Sequence, residues 1–456
     1  MDTVRALSVL DGRYGKLTDA LKDIFSEYGL IRYRVMVEAR WLKFLVKELA
    51  VADLTDAALE KIDAIAEDFD ATAALRVKQI EATTNHDVKA VEYYIKEQLS
   101  KSGLDSVKEW VHFACTSDDI NNAAYALMVR DGRDLVAENL LDLLKKLEEM
   151  AEAFKAVPMM SRTHGQPATP TTVGKEFVNF AWRIRQEFDH LKGATIQAKM
   201  NGATGNFNAH LAAFPAIDWI AASEKFIAEY LAVEPLLFTT QINPNNYVAE
   251  VLHALVRSAS IVIDLDRDMW GYIAFGYFKQ RLKDGEVGSS TMPHKVNPID
   301  FENGEGNLGI AISMMDHLAV KLLNSRFQRD LTDSTVWRNM GSLFGYYLIG
   351  IKNTLKGLGK VELNASVIAR DLEENLELLA EPIQTIMRVH GEENPYEKLK
   401  ELTRGKKITG EALESFVEGL TKVPEAAKEQ MKTLTPGGYT GLAEQLVDRY
   451  FEINRD

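Results

Sequence analysis

The sequence predicts an all-α fold, and three observations carry that prediction. Proline is absent before Pro158 and again between Pro298 and Pro382, which leaves two long tracts free of the strongest helix breaker. Apolar residues inside these tracts recur at three- and four-residue steps. Alternating runs of Val, Ile, Thr and aromatic residues bounded by turns, the mark of strands, are scarce.

Taken along the chain, "ENLLDLLKKLEEMAEAFKAV" (138–157) places Leu140, Leu143, Leu144, Leu147, Met150 and Phe154 on one stripe with charges opposite, which predicts a bundle helix. Tyr247 to Lys283 keeps helical spacing through Leu252, Leu255, Val256, Ala259, Ile263 and Ile273 with no proline, predicting a helix of roughly 50 Å. A helix that long leans on several neighbours, often from other subunits. Polar breaks at 112–122, 161–172, 201–210, 239–246 and 285–300 are expected at the mouths of the bundle, where ligand sites are commonly built. After 360–364, shorter amphipathic segments with Pro382, Pro395 and Pro436 predict a separate small helical domain. The division expected is therefore 1–111, 112–364 and 365–456, with no internal repeat or low-complexity linker.

Bulk properties narrow the function classes. The 456 residues are 46% hydrophobic, enough for a sizeable core. A formal net charge of -14 argues against general nucleic-acid binding, so any anion must be held by a local cluster. The single cysteine, Cys115, rules out an internal disulfide or a Cys-rich zinc site. The first residues lack the apolar core of a secretory signal and no apolar run approaches a spanning length, so a soluble, cytoplasmic protein without a membrane partner is expected.

Five stretches hold the residues able to do chemistry. In "TSDDINN" (116–122), Thr116 and Ser117 ahead of two aspartates read as an ordinary helix cap; the same helix start also suits a substrate carboxylate. "RTHGQPATP" (162–170) puts His164 beside Gly165 on a turn of fixed shape, where its imidazole is either a structural hydrogen-bonder or a proton donor. In "TTNHDVKAVEYY" (83–94), Thr84 or Asn85 is the expected cap and Asp87 the first-turn acid, leaving His86 as a spare donor. The nine histidines show neither HExxH nor a Cys/His cluster, so no metal is expected.

"SRFQRDLTDSTVWRNM" (325–340) concentrates Arg326, Arg329 and Arg338 with Ser334 and Thr335. It reads as a salt-bridged surface or, with a break in the helix, as a clamp of forked arginines and hydroxyls on phosphate. Lastly "GEVGSSTMPHKVNPID" (285–300) has the composition of a surface loop. Its Gly288, Ser289, Ser290, Thr291, Lys295 and Asn297 would also suit a developing oxyanion under a loop that closes. Neither a GxxxxGK[ST] nor a strand-linked GxGxxG pattern is present, so a nucleoside triphosphate or dinucleotide site is not supported.

"GSSTMPHKVNP" (288–298) matches the GSSxMPxKxNP signature, and the sequence thereby resembles the fumarase/aspartase superfamily of lyases. Within it, "TTNHDVKAVEY", "HFACTSDDINN", "RTHGQPATP", "MPHKVNPIDFEN" and "QRDLTDSTVWRN" resemble the bacterial long-chain adenylosuccinate lyases. The likeness runs from "LDGRYG" (10–15) to "YEKLKELTRGK" (396–406). It implies a homotetramer of three-domain, all-helical subunits with a twenty-helix core, each site built by three subunits, and no metal or organic cofactor.

The activity implied is loss of fumarate from adenylosuccinate to leave AMP, and from SAICAR to leave AICAR. By the same resemblance Ser289 is the general base and His164 the general acid held by Glu302, with His86 as the second histidine. Lys295, Asn297, Thr116 and Ser117 suit the developing dianion. Arg13, Tyr14, Arg329, Ser334 and Arg338 match phosphate-binding positions, Gln241 and Asn303 match substrate-contacting ones, and Asn85, Asp87 and Thr335 complete the expected set. Two alternatives stand beside this reading: another lyase of the superfamily, such as argininosuccinate lyase, or a helical scaffold that has lost catalysis.

Overall fold

The computed structural model describes residues 3–281, 292, 295–403 and 408–454. Helices dominate, as the sequence predicts. Near the start of the chain lie α1 (Glu27–Leu49), α2 (Ala71–Thr84) and α3 (Asp87–Lys101). Ser26 caps α1 by accepting the Gly29 N–H at 3.2 Å. From α1, Ile31, Val35, Ala39, Leu42 and Val46 point to one side at three- and four-residue steps and pack with Val77 of α2 and Val91 and Ile95 of α3. Each large side chain so buried stabilises the fold by about 1.5–3 kcal/mol.

Five long helices follow: α4 (Ser117–Ala153), α5 (Val173–Gly193), α6 (Asn246–Ala274), α7 (Ile299–Lys321) and α8 (Met340–Leu358). Leu140, Leu143, Leu144 and Leu147 of α4 are fully buried, as their stripe predicts. Contacts divide the chain into two compact units, one of residues 1–141, 187–263 and 304–352, the other of 142–186, 264–303 and 353–456. Among the described residues no helix is long and apolar enough to cross a membrane.

Two expectations need correction. The long helix does not run from Tyr247 to Lys283; α6 stops at Ala274. Gly276, at φ +75°, takes the left-handed position after the helix, its N–H bonding Ile273 O while the Tyr277 N–H bonds Tyr272 O. That double bond closes a helix end, and a proline-free sequence does not prevent it. Short strands also occur: β1 (Pro158–Thr163) pairs with β2 (Gln166–Thr172), β3 (Gln197–Ala198) with β4 (Glu234–Pro235), and β5 (Phe278–Gln280) with β6 (Val361–Leu363). The β1–β2 ribbon escaped the sequence pattern because Pro167 and Pro170 lie within β2. A two-stranded ribbon has a free edge on each strand, where a missing N–H costs no ladder bond.

Beyond β6, helix α9 (Ala365–Glu373) leads into a set of short helices. These share their own apolar cluster of Leu379, Ile383, Met387, Leu399, Leu413, Val417 and Met431.

Candidate active site

In the first unit the "NHD" segment is set by two helix ends. Asn85 ends α2 in the left-handed conformation at φ +51°. The N-cap of α3 is His86, not Thr84 or Asn85 as expected: its ring Nδ1 accepts the Lys89 N–H at 3.2 Å. An imidazole that accepts through Nδ1 carries its proton on Nε2, so the exposed His86 presents a donor.

Asp87 turns the other way, into a cluster of arginines. Its Oδ2 accepts from Arg34 Nη2 at 2.9 Å and from Arg338 Nη2 at 3.1 Å. Burial pushes its carboxyl up, but the two guanidinium charges and the Val88 N–H outweigh this and hold it below the usual aspartate value. Arg338 also donates from Nη1 to Glu27 at 2.8 Å. Arg34 donates from Nε to Asn121 Oδ1 at 2.9 Å, and its Nη1 is buried with no hydrogen-bond partner among the described residues.

Asn121 shares a small cavity with Asp118, Tyr125, Asn243, Arg329 and Ser334. The Tyr125 ring is stacked on Trp337 with centroids 4.3 Å apart, closing one wall. Burial pushes the Asp118 carboxyl up to about 7, although Lys199 and Arg329 pull it down. Arg338 opens instead on a cleft of ≈ 260 Å³ lined by Ser8, Leu10, Asp11, Phe25 and Ser342. Leu10 and Asp11 belong to the same "LDGRYG" segment as Arg13, which is exposed, and Tyr14, which is half-buried.

The chain does break between Arg329 and Arg338, but the two do not line one cavity. Helix α7 ends at Lys321, Arg329 lies in irregular chain, and a short helix Thr332–Trp337 delivers Ser334 and the exposed Thr335. Arg329 Nη1 donates to Gln241 Oε1 at 3.1 Å, and Gln241 Nε2 donates to Ala203 O at 3.0 Å. Arg329 and Ser334 thus meet at one cavity while Arg338 faces the neighbouring cleft, linked to the cavity through Asp87, Arg34 and Asn121.

Sequence reasoning treated the acids of "TSDD" as helix-start residues; Asp119 does considerably more. Its Oδ2 accepts the Thr116 N–H at 2.8 Å, which caps α4 from the third helical position. Its Oδ1 accepts from Lys199 Nζ at 2.9 Å, Asn201 N at 3.1 Å and Gly202 N at 3.2 Å. Both members of the Lys199–Asp119 pair are 0% exposed. Asn122 adds bonds to the Lys199 N–H and C=O. Together these fix Thr116 and Ser117 relative to the 199–203 segment that holds Gln241. Asp119, Lys199, Asn122, Arg34 and Glu27 were all missed from sequence; the one available signal was an acid three residues after a Thr cap.

In the second unit His164 and Gly165 are the two central residues of the β1–β2 turn, with φ +53° and +73°, closed by the Thr163–Gln166 pair. Positive φ at both positions is the two-residue hairpin geometry, which needs the glycine and fixes the direction of the histidine. His164 is exposed. Lys295 is exposed and Asn297 and Asn303 are half-buried. Gln280 Nε2 donates to Val296 O at 2.9 Å, which ties the chain following Lys295 to β5. Glu302 accepts from Trp270 Nε1 at 3.3 Å, and among the described residues of one chain no hydrogen bond joins it to His164. Ser289, with most of the 285–300 stretch, lies outside the described residues.

Comparison with known proteins shows the family. A lyase family model matches residues 12–312, and a model for the adenylosuccinate lyase C-terminal region matches 325–440. The adenylosuccinate lyase of Vibrio cholerae is 52% identical over 98% of this chain and 99% of its own length. This chain belongs to the adenylosuccinate lyase family. The Escherichia coli K12 member is 49% identical with the same coverage, and the Legionella pneumophila (strain Corby) member 46% over 99% of both chains. In fold, the chain resembles the crystal structure of 3-carboxy-cis,cis-muconate lactonizing enzyme from Pseudomonas putida, with TM-score 0.76, 19% identity, and coverage of 96% of this chain and 97% of that one. That likeness speaks for the fold alone.

Proposed function

We propose that the chain is a carbon–nitrogen lyase (EC 4.3.2.2) that eliminates fumarate from adenylosuccinate, leaving AMP, and from SAICAR, leaving AICAR. The observation that carries this reading is the gathering of arginines at neighbouring cavities of an acidic protein. Arg34 and Arg338 converge on Asp87, and Arg329 stands with Ser334 in the adjoining cavity, a set suited to a nucleotide phosphate. Members of the superfamily that act on small amino or hydroxy acids have no phosphate to hold.

In the mechanism proposed, the Ser289 oxygen takes the proton from the carbon beside a substrate carboxylate. The C–H electrons form the new double bond of fumarate, the C–N pair leaves on nitrogen, and His164 gives that nitrogen a proton. The carboxylate of the intermediate gathers a second negative charge, which Lys295, Asn297 and the hydroxyls of Thr116 and Ser117 would stabilise. A serine base needs a field that favours its alkoxide, and Lys295 supplies one by charge. The exposed turn bearing His164 supports the further proposal that this histidine serves a site completed by another subunit of a homotetramer, Glu302 of a different chain receiving its ring. The separate apolar clusters at 31–111 and 379–431 support the division into domains 1–111, 112–364 and 365–456.

Purified protein mixed with adenylosuccinate should release fumarate and AMP, and should not act on fumarate, aspartate or argininosuccinate. Turnover of a control substrate alone would reassign the chain within the superfamily. Absence of all turnover would leave the inactive-scaffold reading.

A further inference from the structure

His164 stands at the end of a ribbon that has little to hold it there. A two-stranded ribbon is marginal by itself, and residues 163 to 167 are all exposed. The direction of the imidazole is therefore set by whatever clamps the ribbon along its length. Among the described residues of the second unit, three of the ribbon's contacts bear on the half nearer the turn. On β1, Met160 packs with Leu372 of α9 and Leu378. On β2, Thr169 Oγ1 donates to Glu381. Nearest the turn, Arg162 Nη2 donates to Asp371 Oδ2 at 2.9 Å.

The third contact is the most built of the three. Tyr277 OH donates to the same Asp371 oxygen, and the Arg162 guanidinium lies 4.4 Å from the centroid of the Phe275 ring. Arg162 Nε is buried and has no hydrogen-bond partner among the described residues. Asn364, just before α9, bonds Gly276 O through its side chain at 2.9 Å and Tyr277 O through its N–H at 2.8 Å, which keeps α9 beside the segment 275–277.

We propose that Asp371 is a positioning residue for His164, acting through Arg162 and never touching substrate. This rests on the reading of His164 as the general acid. Without Asp371 the ribbon keeps its holds at Met160 and Thr169 but loses the hydrogen bond nearest the turn, and a misplacement of about 1 Å is enough to cost on the order of 100-fold in rate.

The test uses the full-length assembled protein, with adenylosuccinate turnover and AMP binding measured on each variant. Asp371→Ala should lower kcat about 10- to 100-fold while KM and AMP affinity stay within about twofold, and Asp371→Asn, which keeps an acceptor, should fall between it and the wild type. In a His164→Ala background, adding Asp371→Ala should leave the residual rate unchanged, because the group it positions is gone. A wild-type kcat in Asp371→Ala beside an inactive His164→Ala overturns this inference alone. A further equal drop in the His164→Ala background overturns it too, since that marks general damage. A fully active His164→Ala overturns the acid assignment and this inference with it. Should Asp371→Ala fail to fold, Asp371→Asn carries the same comparisons.

Discussion

In the first unit Arg34, Arg338, Asp87 and Glu27 hold one another, whereas in the second the His164 ring has no hydrogen-bond partner among the described residues and lies on an exposed turn. The difference follows from the cost of burying charge. Arg34, taken almost wholly out of water, must find acceptors, so its part of the site is organised by pairs that a single chain can supply. An imidazole in solvent has no such need, and it can be carried on a ribbon to wherever chemistry requires it. Binding and proton transfer should therefore respond to different substitutions.

The sharpest break of that comparison is His164→Ala. Loss of a general acid costs about 10²- to 10⁴-fold in rate, and kcat should fall by this amount with AMP affinity intact. If affinity falls in proportion, His164 belongs to the binding half after all. Next comes Lys199→Met, which strands Asp119 as an unpaired charge at a fully buried site and should lower stability by about 3–5 kcal/mol in denaturant titrations. Lys78→Met, at a partly exposed pair with Glu81, should cost less than about 1 kcal/mol. Equal losses in the two would show that burial is not what separates them.

Arg329→Met removes charged hydrogen-bond donors from the cavity and should weaken AMP binding about 10- to 100-fold by calorimetry, with kcat at saturation much less affected. An unchanged affinity would take Arg329 out of the phosphate site. The smallest effect expected is on pH dependence. The Asp118 carboxyl, raised to about 7 by burial, is neutral below that pH and negative above it, facing the same cavity as Arg329. Relative to Asp118→Asn, wild-type AMP affinity should therefore decline roughly two- to fivefold as pH rises through neutrality. Parallel profiles for the two proteins would show that Asp118 does not titrate there.

Much of this site could be read from sequence because its motifs sit where helices must stop. Asn85 and His86 at one helix junction, Thr116 and Ser117 at a helix start, and Gly165 beside His164 all advertise local backbone geometry. The residues that went unread share the opposite property. Arg34 looks like any basic residue on an amphipathic helix, Lys199 like any lysine in a loop, and Asp371 like a solvated helix acid. Each becomes specific only through a partner far along the chain: Asp87, Asp119 and Arg162 respectively. The ribbon itself was hidden by prolines that a free edge tolerates.

Helical periodicity and the spacing of turn residues are local, so the sequence by itself determined the mainly helical class, the positions of most breaks and the family to which the chain belongs. Which charges pair was decided only by the tertiary structure. Asp119 meets Lys199 across 80 residues, and Arg34 meets Asp87 across 53. No periodicity reports such distances, because the energy that selects them is the cost of leaving a buried charge without a partner, and that cost exists only once the chain has folded around it.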